Sequence, residues 1–103
     1  MSLLGAALVF TVTAYAPGCC GCGGSVTASG LAPVTGWTVA ADTRVLPIGS
    51  LVEIEGLGLR MVMDRGGAIK GRRLDLYVGS CAEARQWGRR VRTVRVLHVG
   101  GTR

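Results

Sequence analysis

Short apolar stretches broken by glycine and proline limit what this chain can fold into more than any other feature. They cover residues 8–15, 37–41, 51–54, 59–63, 74–78 and 92–99, and the pattern predicts six short β-strands. Within 8–15, Val9, Thr11 and Thr13 alternate with Phe10, Val12 and Ala14, the period of a strand with two unlike faces. Six such strands in 103 residues point to a sheet closed on itself as a barrel. The 17 glycines agree, because tight barrel corners need backbone conformations that other residues resist. One helix is expected, over 80–88. Ser80 stands at its N-cap, Glu83 completes a capping box, and Gly88 stands at its C-terminal stop. With no long linker, residues 1–103 read as one all-β domain built around one core.

The charge is uneven. Twelve basic residues face six acidic ones, but residues 60–103 hold eleven basic against three acidic, so this part alone is +8. Such a field favours an anionic partner: nucleic acid, anionic lipid or a cell-wall polymer. Nucleic-acid binding would add clustered aromatics for stacking, whereas Phe10, Tyr15, Trp37, Tyr77 and Trp87 are scattered, so no nucleic-acid partner is expected. No apolar run approaches the roughly 18 residues that span a bilayer, so stable membrane insertion is not expected either. The apolar opening through Phe10 ends near Ala14-Tyr15-Ala16, which matches a small-residue cleavage site, but it lacks a basic leader; a first strand accounts for the same residues.

The stretch 64–75 carries the chemistry. It holds two of the six acidic residues and places Asp75 inside an apolar strand, where Leu74, Leu76 and Val78 share one face and Asp75 and Tyr77 the other. Asp64 and Asp42 each close an apolar run of their own, after Met61-Val62-Met63 and Val39-Ala40-Ala41. Read in order, Val12-Thr13-Ala14-Tyr15, Thr27-Ala28-Ser29-Gly30, Val39-Ala40-Ala41-Asp42 with Leu46-Pro47-Ile48-Gly49, the glycine-rich run from Asp64 to Gly71, and Arg73-Leu74-Asp75-Leu76-Tyr77 resemble the 3D domain family, named for three aspartates. The resemblance covers about residues 11–97.

That resemblance implies a six-stranded double-psi β-barrel, related to the catalytic domain of membrane-bound lytic transglycosylases of the MltA type. It also implies cleavage of the MurNAc–GlcNAc β-1,4 bond of peptidoglycan with formation of 1,6-anhydro-MurNAc, and no cofactor. The chemistry is economical. The C6 hydroxyl of the substrate attacks the anomeric carbon, so one carboxyl group can protonate the leaving oxygen and later accept the hydroxyl proton. Asp75 matches the acid/base position and Asp64 a supporting catalytic one. Asp42, Thr27, Gly30, Gly66, Gly67 and Ala68 match positions bordering the cleft, as substrate-binding residues. For Asp42 an Asx turn with Thr43 is the structural alternative; for Gly66-Gly67 it is a plain tight turn. Thr27 is expected as a hydrogen-bond partner of substrate or of Asp75. The chain departs from the family pattern at Ala41, Thr43 and Arg65; an arginine beside Asp64 either holds that carboxylate ionised or meets carboxylates of the substrate.

Cys19, Cys20 and Cys22 crowd a glycine-rich loop, with Cys81 distant in sequence. A disulfide from Cys81 to one of the three, a structural zinc site and free thiols all remain open, with no metal expected at the catalytic site. His98 and Trp87 read as strand and core residues, and Trp37 either as packing or as a lining of a sugar cleft. The expected setting is extracellular, in the cell wall, with peptidoglycan strands as partner; glycine-rich loops would also permit exchange of strands between two copies. Two rivals are a non-catalytic wall-binding module of expansin type and a basic nucleic-acid-binding barrel.

Overall fold

The computed structural model describes residues 4–16, 27–66 and 69–101. Six strands form: β1 (Ala7–Tyr15), β2 (Thr38–Ala41), β3 (Leu51–Ile54), β4 (Gly58–Asp64), β5 (Arg73–Tyr77) and β6 (Arg90–His98), with helix α1 (Cys81–Trp87) between the last two. The sheet closes into a ring in the order β1-β5-β2-β4-β3-β6. Two neighbouring pairs, β1/β5 and β2/β4, are parallel, and the other four are antiparallel. Among the described residues, closure leaves the sheet without a free edge strand.

The core is the inner face of this ring. Phe10 and Val12 from β1, Val39 and Ala41 from β2, Val52 and Ile54 from β3, Val62 from β4, Leu74 and Leu76 from β5, and Val94 and Val96 from β6 meet there with Leu46. Each pair is spaced by two, the alternation of a pleated strand. The inner face is thus taken up by apolar side chains, aliphatic apart from Phe10, and the alternate positions of the same strands are turned outward.

Two local features complete the ring. Gly100 donates its N–H to Ser50 Oγ (2.9 Å) with its Cα against the 48–50 turn. A Cβ there would collide with the Ile48 carbonyl oxygen and lie 2.8 Å from Ser50 N, so only glycine fits. Helix α1 starts at Ser80, whose Oγ accepts the Glu83 N–H (3.2 Å), while the Glu83 carboxylate accepts the Gly79 N–H (3.3 Å), one residue earlier than a standard capping box. The helix lies on β1, where the Trp87 indole donates to Val12 O (2.9 Å) and is covered by the Arg90 guanidinium at 4.3 Å. No helix among the described residues is long and apolar enough to cross a membrane.

Candidate active site

Four adjacent strands bring two of the three aspartates into one row on the outer face. In the pairing register Thr13 of β1 lies opposite Asp75 of β5, Asp75 opposite Ala40 of β2, and Ala40 opposite Asp64 of β4. The result is a row, Thr13–Asp75–Ala40–Asp64, across four adjacent strands. Adjacent strands lie about 4.8 Å apart, so the two aspartates stand about 10 Å apart at the backbone, with the small Ala40 between them.

Asp64 reaches this row through an irregularity. Val39 pairs with Val62, but the next residue, Ala40, pairs with Asp64, so β4 carries one extra residue, Met63, at this point. Strict alternation from the inward Val62 would turn Asp64 into the core. The bulge re-aims it outward. There Asp64 Oδ1 accepts the N–H groups of Ala28 (3.0 Å) and Arg65 (2.9 Å), which fixes the carboxylate against the 27–31 loop.

Asp75 is half-buried, with Leu74 and Leu76 inside the barrel on either side. Burial pushes its carboxyl above the ordinary value of 3.8; the Thr13 hydroxyl and the Arg73 charge pull it back down, and the Asp64 charge adds a small upward push. Thr13 Oγ1 donates to Asp75 Oδ1 at 2.9 Å. Asp75 Oδ2 accepts no hydrogen bond among the described residues. Beside the row, the Tyr15 and Tyr77 rings meet edge to face at 5.4 Å and extend this face along β1 and β5.

The remaining candidates divide. Asp42 is buried and fully engaged: Oδ1 accepts from Arg44 N (3.0 Å) and Nε (3.1 Å), and Oδ2 from Arg44 Nη2 (3.2 Å) and Gly71 N (2.9 Å). The Arg44 guanidinium and these backbone amides hold its carboxyl well below the usual range. Its bonds secure the chain after β2 to the start of the segment leading into β5, and they leave it outside the row. The Thr27 hydroxyl is likewise committed to its own loop, 2.6 Å from Ser29 Oγ and 2.8 Å from Leu31 O; the hydrogen bond to Asp75 comes from Thr13 instead. Gly30 is exposed and closes the turn of that loop through Thr27 O (2.9 Å). At Gly66 a Cβ would lie 2.9 Å from Cγ1 of the buried Ile69, whose N–H bonds Gly66 O (3.0 Å), so tight closure of this turn excludes a side chain. Gly67 and Ala68 lie outside the described residues, as do Cys19, Cys20 and Cys22. Cys81 is disulfide-bonded, which removes its sulfur from any thiolate zinc set. His98 is exposed on β6, Trp87 packs against the core, and Trp37 is half-buried at the entry to β2.

Sequence reasoning missed three contributors. Thr13 carried a signal, since it alternates outward in β1 within a segment shared with the family. Ala40 and Arg44 carried none, because their positions depend on strand register and on the bend after Asp42.

A family model for the 3D domain matches residues 37–100. The chain belongs to the 3D domain family. Among curated proteins it is similar to the cell wall-binding protein YocH of Bacillus subtilis, 39% identical over 88% of this chain and 32% of YocH. Among solved structures it is similar to MltA of Escherichia coli, described as having a unique lytic transglycosylase fold, with 31% identity, a TM-score of 0.58, and coverage of 74% of this chain and 28% of MltA. The same enzyme with bound chitohexaose matches at 26% identity and a TM-score of 0.55, over 69% of this chain and 27% of that one. This 3D domain therefore spans about a third of its relative's length or less, and its ring of strands is of the MltA kind.

Proposed function

We propose that this 3D domain is a peptidoglycan lytic transglycosylase built on a double-psi barrel, acting in the cell wall outside the cell, with Asp75 as its acid/base. The observation that carries the reading is the Asp75 carboxyl itself: half-buried, raised by that burial, and set in a cross-strand row with a second carboxylate. A general acid must keep its proton near the working pH, and burial supplies that bias. With Thr13 donating to Oδ1, the proton belongs on Oδ2, which has no hydrogen-bond partner among the described residues.

The reaction follows from one group. Asp75 O–H protonates the glycosidic oxygen between MurNAc and GlcNAc as that C–O bond breaks. The MurNAc C6 hydroxyl then closes on the anomeric carbon, and the Asp75 carboxylate takes up the hydroxyl proton, which restores the acid. Asp64, held ready by two backbone amides, supports positive charge developing on the sugar. The resemblance to chitohexaose-bound MltA supports a β-1,4-linked N-acetylated glycan as the ligand class.

A second reading, a wall-binding module without catalysis, is favoured by the likeness to YocH, named for cell-wall binding. Mass spectrometry of soluble fragments from sacculi incubated with the domain separates the two. Transglycosylation releases muropeptides one water lighter at each new MurNAc end, and Asp75→Asn should retain sacculus binding while releasing none. Absence of anhydro products from the unaltered domain would leave the binding module as the better account.

A further inference from the structure

Next to Asp64 lies a pocket of about 510 Å³, within the roughly 300–1,000 Å³ range of small-ligand sites. Three cationic side chains, Arg44, Arg65 and Lys70, stand around it, with Asp42, Gly66 and Ile69 forming other parts of the wall. Asp42 is the pocket's sole acidic wall residue among the described residues, and Arg44 already neutralises it. The positive charge of Arg65 and Lys70 is therefore left over.

Arg44 is also set in place. Asp42 takes the Nε–H and one N–H of Nη2. A guanidinium has five N–H groups, so three remain, on the edge turned away from the carboxylate, and that side chain is 75% exposed. The side chains of Arg65 and Lys70 have no acceptor among the described residues. A fixed guanidinium edge with two free cations beside it is a receptor for a planar or tetrahedral anion.

Chain connectivity indicates which anion. Arg65 and Gly66 directly follow Asp64, and Ala41 directly follows Ala40, so the two strands at that end of the row lead into residues of the pocket wall, within reach of a branch on a glycan held by the row. We infer that the Arg44–Arg65–Lys70 pocket binds a carboxylate carried on the MurNAc lactyl branch of the glycan held by the row, and so selects muramyl-bearing strands over uncharged chito-oligosaccharides. This rests on the glycan reading above. The carboxylate has two sources: the lactyl group itself in peptide-free strands, or the stem peptide in peptide-bearing ones.

Calorimetric titration of the domain with three probes tests it: chitohexaose, peptide-free GlcNAc–MurNAc oligomers, and peptide-bearing oligomers of equal length. At low salt at least one carboxylate-bearing probe should bind about tenfold or more tighter than chitohexaose, about 1.4 kcal/mol, and whichever does so identifies the source. In Arg65→Gln/Lys70→Gln, checked for unaltered thermal unfolding, the ratio should fall to near one, and Arg65→Lys should restore part of it. Equal binding of all three probes by the unaltered domain, or a preference that survives the double substitution, overturns the pocket while leaving the glycan reading standing. No binding of any of the three overturns both. A glycerol-phosphate oligomer bound more tightly than any glycan, with that binding lost in the double variant, overturns the carboxylate in favour of a phosphodiester polymer.

Discussion

Thr13→Val isolates the balance that sets Asp75. Valine keeps the shape of threonine but removes the hydroxyl that donates to Asp75 Oδ1 at 2.9 Å. A hydrogen bond to a charged group contributes about 1.5–3 kcal/mol and one to a neutral group about 0.5–1.5. Asp75 keeps contact with solvent, so the low end of each range applies: about 1.5 kcal/mol against the carboxylate and about 0.5 against the neutral acid. The sign follows from linkage. Burial raises Asp75 in the folded chain, so its neutral form costs nothing below the unfolded value of 3.8, and stability is lost as pH rises through the higher folded value. Removing the Thr13 donor raises that folded value further and deepens the loss. Thermal unfolding of the variant should then lie about 6–12 °C below the unaltered domain near pH 8, and about 2–4 °C below it near pH 3, at about 4–8 °C per kcal/mol for a chain of this size. The extra methyl group acts equally at both pH values and drops out of the difference. The alkaline limb of any transglycosylase activity should shift to higher pH in the same variant. An equal loss of stability at both pH values, or a shift of that limb downward, would refute the assignment of Thr13 as the donor that moderates Asp75.

Asp42 predicts the opposite pH behaviour. Its folded value is depressed, so its contribution is present above 3.8 and is lost as pH falls below that; Asp42→Ala should lower stability at neutral pH and flatten this acid limb in a urea titration repeated across pH. Gly100→Ala, which forces a methyl group against the backbone of Ile48 and Ser50, should cost about 2–3 kcal/mol in chemical unfolding, whereas Gly101→Ala, with open space around it, should change little. Trp87→Phe leaves Val12 O without its indole donor and weakens the stacking of Arg90, so a loss of about 1–2 kcal/mol is expected, together with faster amide exchange across the β1/β6 pairing.

All six strands and the helix fall where periodicity and glycine punctuation place them, with ends that differ by one or two residues, as at β6, which begins at Arg90 rather than Arg92. The reason is that each strand is self-sufficient as a pattern: Val94/Val96 or Leu74/Leu76 with polar residues between them can bury only one face. Asp75 was readable for the same reason, as a carboxylate confined to the outer face of an apolar strand. Its resemblance to a family motif added the chemistry.

Asp64 marks where such reading ends. Its two-residue spacing from Val62 assigns it to the core, and only the extra residue in the β2/β4 pairing returns it to the surface beside Ala40. The Asx turn after Asp42 was legible, and the structure has it in the Arg44 N–H bond to Oδ1, but the guanidinium clamp that Arg44 adds was not; Thr13 was placed outward by alternation, but its partner, 62 positions away on a parallel strand, was not. Local alternation thus determined the strands, the buried face and the outward placement of Asp75. The tertiary structure alone decided which aspartate stands beside it, which one is bound up in a guanidinium clamp, and where unspent positive charge gathers. Alternation is a property of neighbours along the chain, whereas register, bulges and ion pairs are settled when separate strands meet.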